Sequence, residues 1–271
     1  MNRRRLTCML CGLAVTVLAS SAMAGPDWND AGADHLWTNG DNWTGGNAPG
    51  TGGADNNPAI HGQAVGPVVD ADVGYQWMVW HGFWDVQPGA LTMTTGGRLE
   101  CNEYILGSQN DTYYDAWIDM DDGWLQANKF KIGDSQSGLV DISGGIMSAY
   151  NAGNELLVGA SGDWSRGKIN ITGTGDVRAD TLIMNTSAFQ QDSRILINDS
   201  GVLKLRGDQT DPGTDLMTYI GNDWIYTSDA GHWLDVTYDG TWNETVVSSV
   251  PEPTTVLLIA FGGLLLRRRR A

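Results

Sequence analysis

Tyr104-Ile105-Leu106-Gly107 is the first of four similar four-residue segments, and the second copy is Phe130-Lys131-Ile132-Gly133. The third and fourth copies are Leu156-Leu157-Val158-Gly159 and Leu182-Ile183-Met184-Asn185, and the step from one copy to the next is constant. A fixed interval of about 26 residues is typical of repeat architectures. In the fourth copy we expect Asn185 to adopt the positive φ of the glycines, because asparagine tolerates that conformation better than most residues.

A second short pattern comes once in each repeat, in which apolar and polar residues alternate and a glycine follows. Alternation that is closed by a glycine is typical of a strand and a turn. The average interval between its copies equals that of the first pattern. The first residues of the copies are Leu91, Ile118, Val140, Ile169 and Ile195. Each repeat therefore contains two or three short predicted strands.

These two patterns predict an all-β fold, a right-handed parallel β-helix (β-solenoid) with about 26 residues per coil. A propeller blade would need ~40 residues, and the consensus of leucine-rich repeats is absent from the sequence. No apolar stripe at helical spacing is long enough for helical repeats. In a solenoid, equivalent residues of successive coils stack ~4.8 Å apart and form inward apolar rows. The right-handed sense follows from the general rule for parallel crossovers.

One polar position precedes the last residue of each copy by a constant distance. We predict a ladder at this position, in which the stacked side chains hydrogen-bond to one another. The alternative is that they are solvated turn residues, a role that asparagine also favours. The four residues are Asn102, Asn128, Asn154 and Asp180.

The open ends of a solenoid need covers, so we expect caps on both sides of the repeat. The predicted boundaries are an N-terminal cap segment at 25–67 and the solenoid at 68–249. In the cap, Trp37, Asn42-Trp43 and Pro49 precede a short apolar strand. This order resembles the first segment of exported bacterial β-solenoids with autotransporter-like repeats.

Weaker copies of the pattern predict further coils. Val79-Trp80-His81-Gly82 ends almost one full interval before Gly107, which indicates one degenerate coil ahead of the clear ones. Tyr219-Ile220-Gly221 ends more than one interval after Asn185, which predicts one more coil after a longer loop. Residues 233–242 are then expected to form the last strands or a cap.

The charge of the body excludes two classes of partner. Residues 25–250 carry 9 basic and 31 acidic residues, a net charge of −22, because the other basic residues cluster at the two ends of the chain. Such a surface cannot neutralise phosphates, which argues against nucleic-acid binding. It argues equally against binding of an anionic membrane through this stretch.

Residues 1–24 have the three parts of a secretory signal peptide. Arg3-Arg4-Arg5 is basic, the segment from Leu6 to Ala19 is apolar, and Ala22-Met23-Ala24 is a small-residue cleavage site. We predict that signal peptidase cleaves here, so that the mature chain begins at Gly25. An uncleaved anchor is the alternative, but the apolar segment is short for a span of ~20 residues. Cys101 would be the only cysteine left, so no intrachain disulfide is expected.

Residues 250–271 also have three ordered parts. Val250-Pro251-Glu252-Pro253 comes first, the apolar residues 256–266 follow, and Arg267-Arg268-Arg269-Arg270 comes last. By the positive-inside bias the arginines should stay on the cytoplasmic side of a membrane. This order resembles the C-terminal sorting signal called PEP-CTERM, which is found on exported proteins of biofilm-forming Gram-negative bacteria.

The resemblance implies a short transmembrane helix and transient anchoring of the tail in the inner membrane. It also implies processing near Pro251-Glu252-Pro253 by an exosortase, a membrane sorting enzyme. The alternative is an ordinary tail anchor, for which the apolar part is short.

The sequence contains no motif that indicates catalysis or a resident cofactor. The four histidines lack zinc-site spacing, and no nucleophile elbow or phosphate loop is present, so no metal site of these kinds is predicted. Clustered aspartates could bind calcium through carboxylate oxygens, although an acidic surface commonly only keeps a protein soluble. These aspartates are Asp111, Asp115, Asp119, Asp121 and Asp122.

Tryptophan is unusually frequent, with 12 in the chain. Exposed aromatic faces can stack on sugar rings, and several tryptophans lie in Gly/Asp-rich turns rather than in the inward rows. These candidate glycan-stacking residues are Trp117, Trp124 and Trp164. The alternative is that the tryptophans are packing anchors of caps and loops.

Together these features predict an exported, non-enzymatic β-solenoid with a structural or adhesive role in the cell envelope, on the outer surface or in the extracellular matrix. The expected partners are signal peptidase and an exosortase-type enzyme, with an envelope or matrix polysaccharide as a further candidate. The alternative is a carbohydrate-binding or polysaccharide-degrading β-helix protein, a lyase or a glycoside hydrolase, which would need carboxylates placed on neighbouring coils.

Overall fold

The computed structural model describes residues 25–50, 57–60, 63, 65–82, 90–107, 116–135, 137–159, 165–185 and 193–252. In these residues the chain is nearly all β and forms a parallel β-solenoid of about five turns, with roughly 26 residues per coil. The predicted fold class is therefore confirmed.

The strands of the described residues come in short runs separated by turns. They are β1 (Ala59–Ile60), β2 (Val68–Val69), β3 (Asp72–His81), β4 (Leu91–Met93), β5 (Arg98–Leu106), β6 (Ala116–Met120), β7 (Trp124–Ile132), β8 (Ser137–Ile142), β9 (Ile146–Ala149), β10 (Glu155–Val158), β11 (Arg166–Ile171), β12 (Asp176–Ala179), β13 (Thr181–Met184), β14 (Arg194–Ile197), β15 (Val202–Arg206), β16 (Ile225–Tyr226), β17 (His232–Asp239) and β18 (Glu244–Pro251). A 3-10 turn covers Gly40–Asn42, and one α-helix, α1, covers Asp215–Gly221.

The strands form two sheets. The larger sheet has the order β1-β3-β5-β7-β9-β12-β15-β18-β17, with β10 beside β7 and β13 beside β10. The smaller sheet has the order β16-β14-β11-β8-β6-β4-β2. Pairing is parallel within the coils, and it becomes antiparallel where β18 meets β15 and β17 meets β18.

Both repeat patterns of the sequence are rows of paired residues in the sheets. In the larger sheet Leu106 pairs with Ile132, Ile132 with Val158, and Val158 with Met184. In the smaller sheet the row runs through all five residues that begin the second pattern: Leu91, Ile118, Val140, Ile169 and Ile195. All of these side chains are buried. The core is therefore built from the rows that the repeat interval predicted.

The two sheets meet closely at one corner of each coil. Gly107, Gly133 and Gly159 turn the chain there with φ of 76°, 72° and 74°. A Cβ added to Gly167 on the facing strand would lie 2.6 Å from the nitrogen of Gly159. At this contact a side chain on residue 167 would therefore clash with the backbone of the neighbouring coil. Asn185 does not share the positive φ of the three glycines, so that expectation was wrong.

The N-terminal edge of each sheet is covered by the segment 25–50. Asp27 pairs with Ala59 and Leu36 with Val68 through isolated bridges. Three tryptophans of this segment are buried: Trp28, Trp37 and Trp43. Trp43 packs edge to face against the other two, with ring centroids 5.1 Å and 4.8 Å away. The indole N–H groups of all three donate to backbone carbonyls, so these tryptophans are packing anchors of the cap.

The C-terminal end agrees with the prediction in one respect, because most of residues 233–242, expected as the last strands or a cap, belong to β17. It differs in two others. Tyr219-Ile220-Gly221 belongs to α1 and not to a further coil. The side chain of Thr214 caps this helix by accepting from the backbone N–H of Met217. From His232 onward, within the stretch predicted as parallel solenoid, β17 and β18 form an antiparallel hairpin. A hairpin suits this end because a short turn can join antiparallel strands, whereas parallel strands need a crossover.

Candidate functional site

The first residues of the predicted sorting segment are part of the folded body. Val250 and Pro251 end β18, where they pair with Trp233 and His232. The backbone N–H of Glu252 donates to the carbonyl oxygen of Gly231 at 2.8 Å. Pro251 and Glu252 are exposed. The acidic residue of the motif is therefore held at the surface, directly against the last hairpin and without a linker.

The other predicted targeting residues fall mostly outside the described part of the chain. Ala22, Ala24, Pro253 and Arg267–Arg270 all lie there. Gly25 is described and packs tightly, since an added Cβ would lie 2.0 Å from the carbonyl oxygen of Asn57. Within the described ranges no helix has the length and apolarity to cross a membrane.

Three of the four ladder residues form a hydrogen-bonded chain. The Nδ2 of Asn128 donates to the Oδ1 of Asn102 at 3.1 Å, and the Nδ2 of Asn154 donates to the Oδ1 of Asn128 at 3.3 Å. Asp180 occupies the next position of the ladder but interacts with other groups. Its carboxylate accepts from the backbone N–H of Gly153 at 2.7 Å and pairs with Arg206 at 3.0 Å.

The ladder marks the place where each coil bends. In β5 and β7 the strand continues through Asn102 and Asn128, although neither residue has a paired partner in the register. In the next coils the strand is interrupted: residues 150–154, which end with Asn154, separate β9 from β10, and Asp180 separates β12 from β13. A side-chain amide at a bend can satisfy its neighbours where the backbone ladder is interrupted.

Ion pairs join successive coils beside this ladder. Lys131 pairs with Glu103 of the preceding coil at 2.8 Å, and Lys129 pairs with Glu155 of the following coil at 2.6 Å. Lys204 reaches back to Asp176 at 2.8 Å. These basic side chains are thus engaged by carboxylates of the same surface, which agrees with the exclusion of phosphate-bearing partners.

The predicted glycan-stacking residues do not form one platform. Trp117 is 43% exposed on β6 of the smaller sheet. Trp124 begins β7 of the larger sheet and is half-buried, with its indole N–H donating to Gln126 and the Arg98 guanidinium 5.8 Å from its ring centroid. Trp164 lies outside the described residues. The two described tryptophans are therefore on different sheets.

A different pair of aromatic residues is exposed together. Tyr75 and Trp77 are 47% and 55% exposed, and both face outward on β3. In the register, Gln76 pairs with Cys101 and Met78 with Glu103, so Trp77 stands level with Asn102 at the top of the ladder. The sequence signal for this pair is the alternation Tyr75-Gln76-Trp77, which places both rings on the same side of a strand.

The clustered aspartates act mainly as acceptors in turns. Asp122 accepts from the N–H of Gly123 and the hydroxyl of Thr95, while Asp121 accepts from the hydroxyl of Ser143. Partial burial raises the pKa of Asp119, and the neighbouring carboxylates of Asp121 and Asp141 raise it further. Asp111 and Asp115 are outside the described residues. Across the described chain no group of three metal-ligating side chains is assembled, and a calcium site here stays a prediction.

One small cleft lies between the end of the ladder and α1. It has a volume of about 200 Å³, and its lining includes Asp180, Gln209, Asp215 and Tyr219. It is lined by two carboxylates, and hydrolysis of a glycosidic bond would need two. Asp180, however, is already held by Arg206 and by the Gly153 amide. Both carboxylate oxygens of Asp180 are therefore engaged by groups of the chain itself.

The comparisons with known proteins reach only the C-terminal segment. Residues 249–270 match the PEP-CTERM protein-sorting motif. No curated protein and no solved structure matches the chain. The resemblance of the cap to autotransporter-like solenoids thus stays a prediction. The motif implies that the protein is exported, anchored transiently in the membrane and processed by an exosortase-type enzyme.

Proposed function

We propose that this protein is a non-enzymatic structural or adhesive component, sorted by its C-terminal signal to the cell envelope or the extracellular matrix. The observation that carries the proposal is the direct junction between the sorting motif and a folded solenoid. Pro251 is both the last residue of β18 and the first of Pro251-Glu252-Pro253. Any load on the anchored tail would therefore pass straight into the sheet.

The surface of the body also favours a structural role. Successive coils are joined by the Asn102–Asn128–Asn154 hydrogen bonds and by ion pairs such as Lys131–Glu103. Each exposed ion pair contributes at most about 1 kcal/mol, but together with the continuous backbone ladders they resist bending between coils. A rigid spacer that carries an acidic surface suits a soluble matrix component.

The proposal includes no catalytic step and no cofactor. The carboxylates that line the cleft are one candidate for catalysis among the described residues, and Asp180 is engaged by Arg206 and Gly153. This supports a non-enzymatic role, although hydrolysis or elimination on a polysaccharide remains the alternative to be measured.

The sorting part of the proposal is tested by removing residues 253–271. The cut falls after Glu252 because a cut at 249 would remove Val250 and Pro251 from the β17–β18 pairing. We expect the truncated protein to fold normally and to leave the cell as a free secreted protein, whereas the full chain reaches the envelope or matrix. Cell fractionation measures the distribution.

A second variant replaces Arg267–Arg270 with glutamine and keeps the length of the tail. We expect it to mislocalise like the truncation, because the basic end that orients the tail is lost. An unchanged distribution of both variants would contradict the proposal.

Glycan binding is the second candidate function, and the paired exposure of Tyr75 and Trp77 favours it. Flat aromatic faces next to hydrogen-bonding amides suit a sugar ring, since the ring stacks while its hydroxyls bond to the amides. Asn102 supplies such an amide level with Trp77. An adhesive role and a glycan-binding role would then share this face.

Incubation of the exported protein with a panel of bacterial and algal polysaccharides separates the three roles. We expect no release of new sugar ends. Where the protein is retained, we expect Trp77→Ala to reduce retention about fivefold to tenfold, since a stacking contact of an aromatic ring is worth about 1 kcal/mol. Trp242→Ala, which removes a 73% exposed tryptophan from the turn between β17 and β18, is the matched control and should leave retention unchanged. Release of sugar ends would refute the non-enzymatic role.

A further inference from the structure

The larger sheet ends in a long strand whose outer edge is open. β17 (His232–Asp239) is the last strand in the sheet order, and no described strand pairs with its outer side. The opposite ends of the sheets are covered by the bridges Asp27–Ala59 and Leu36–Val68. The unpaired N–H and C=O groups of an edge strand are a template for pairing with another strand.

The apolar core continues up to this edge. Across adjacent strands Val177, Leu203 and Val247 are paired in one row and fully buried. The row continues into Val236 of β17, which is only partly buried and packs against the core. Beside it Tyr238 is 40% exposed, although its paired residue Thr245 is fully buried. The core row therefore stops at the edge without a cover.

We propose that a second copy of this chain covers the edge, with β17 of the two copies paired antiparallel around Val236. A two-fold axis perpendicular to the sheet keeps the inward faces of both copies on one side. Opposed residues must then have the same parity, because successive side chains point to opposite faces. Only registers that oppose a residue to itself or to one an even number of positions away are allowed.

Electrostatic repulsion distinguishes the two allowed registers in which β17 pairs the largest number of residues with its copy. One register places Asp235 opposite Asp235 of the second copy, and like charges directly opposite are destabilising. The other places Val236 opposite Val236, Leu234 opposite Tyr238, and Asp235 opposite Thr237. In this register no two aspartates face each other, and Leu234, Val236 and Tyr238 form an apolar cross-strand cluster. The strand is thus complementary to itself.

The pairing joins two solenoids end to end. The larger sheets of the two copies become one continuous sheet, and the tryptophan caps at residues 25–50 lie at the two far ends. The interface is isologous, so it closes at two copies and does not propagate into a fibre. This inference goes beyond the proposed role and does not depend on it.

The mass of the exported protein in solution, measured by light scattering and sedimentation over a range of concentrations, tests the inference. We expect a dimer. Val236→Lys puts an ammonium group into the centre of the apolar cluster, where it has no partner, and should raise the dissociation constant roughly a hundredfold. Ser248→Lys is the control, because Ser248 lies on the outward face of β18 with strands on both sides, and it should stay dimeric. A wild-type monomer at all concentrations, or a Val236→Lys variant with the dissociation constant of the wild type, would overturn the proposal.

Cross-linking tests the register without relying on a destabilising change. Opposed Cα atoms in an antiparallel pair are ~4.5–5.5 Å apart, which a disulfide can bridge. We expect Val236→Cys to form an intermolecular disulfide on oxidation and Asp235→Cys to form much less. Cys101 does not compete, because it is buried and burial raises the pKa of its thiol well above the usual value. Faster cross-linking of Asp235→Cys would overturn the register.

Discussion

Phe130→Ala is expected to destabilise the protein by about 3–5 kcal/mol, the range for truncation of a buried aromatic residue. Phe130 is fully buried, and it is stacked between Tyr104 of the preceding coil and Leu156 of the next. Its ring centroid lies 6.0 Å from that of Tyr104. Backbone ladders fix the spacing of the coils, so the neighbours cannot collapse into the space that the ring leaves. Urea unfolding of the exported protein, followed by circular dichroism, measures the change.

Two variants show whether the cavity is responsible. Phe130→Leu keeps most of the volume and should cost less than about 1.5 kcal/mol. Ile183→Ala changes an aliphatic residue that is 42% exposed on the outer side of β13, and its cost should stay within about 0.5 kcal/mol. Equal losses for Phe130→Ala and Ile183→Ala would mean that the inward row does not carry the stability of the solenoid.

The inward rows were predictable because two simple periods act together. Side chains alternate with a period of two along a strand, and equivalent residues return with each coil. Leu91, Ile118, Val140 and Ile169 could therefore be aligned by eye, although their intervals vary by several residues. The loops differ in length between coils, whereas the register of the paired strands stays constant.

The C-terminal end could not be predicted in the same way. Tyr219-Ile220-Gly221 imitates the end of a repeat, but Thr214 and Asp215 supply a cap and an acidic first turn that favour a helix. A pattern of three apolar and small residues is too short to separate a strand from a helical turn. The antiparallel hairpin after it depends on pairing between residues far apart in the chain, such as Leu203 and Val247, which no local pattern specifies.

The same difference applies to the candidate sites. Those that follow the order of the chain or the repeat interval were predictable, and those that depend on the fold were not. The sorting motif is linear, so its order along the chain was sufficient to find it. The amides of Asn102, Asn128 and Asn154 follow the repeat, so they too could be aligned. Surface platforms depend on which sheet and which face a residue occupies. Trp117 and Trp124 are close in sequence but lie on different sheets. The alternation Tyr75-Gln76-Trp77 places two rings on one side of a strand, but only the fold shows that this side is exposed.

Only one side of the close corner between the sheets could be predicted from the sequence. The glycines at the end of each repeat were identified, but the residues that face them were not. These are Gly138 and Gly167, which pair with each other on β8 and β11. They lack the regular interval because the loop before them varies in length. Their role is steric, and it leads to the second large effect.

Gly167→Ala is expected to cost about 3 kcal/mol, at the upper end of the usual penalty for overpacking. The added Cβ would lie 2.3 Å from the carbonyl oxygen of Ile132, 2.6 Å from the nitrogen of Gly159 and 2.7 Å from Val158. The two closest atoms belong to the backbone, so no side chain can rotate away to make room. One methyl group must therefore push two coils apart or break the pairing of β11 with β8.

Gly213→Ala is the matched control, because a Cβ there meets nothing within 4 Å and the φ of this residue is not in the left-handed region. Its effect on the free energy of unfolding should stay within about 0.5 kcal/mol. Substitution of either glycine by alanine reduces the backbone freedom of the unfolded chain by the same amount. The difference in the free energy of unfolding between the two variants therefore reports the contact at the corner. A Gly167→Ala variant as stable as Gly213→Ala would mean that the sheets are not in close contact there. The positive φ of Gly107, Gly133 and Gly159 would then be the whole reason for glycine at the end of each repeat.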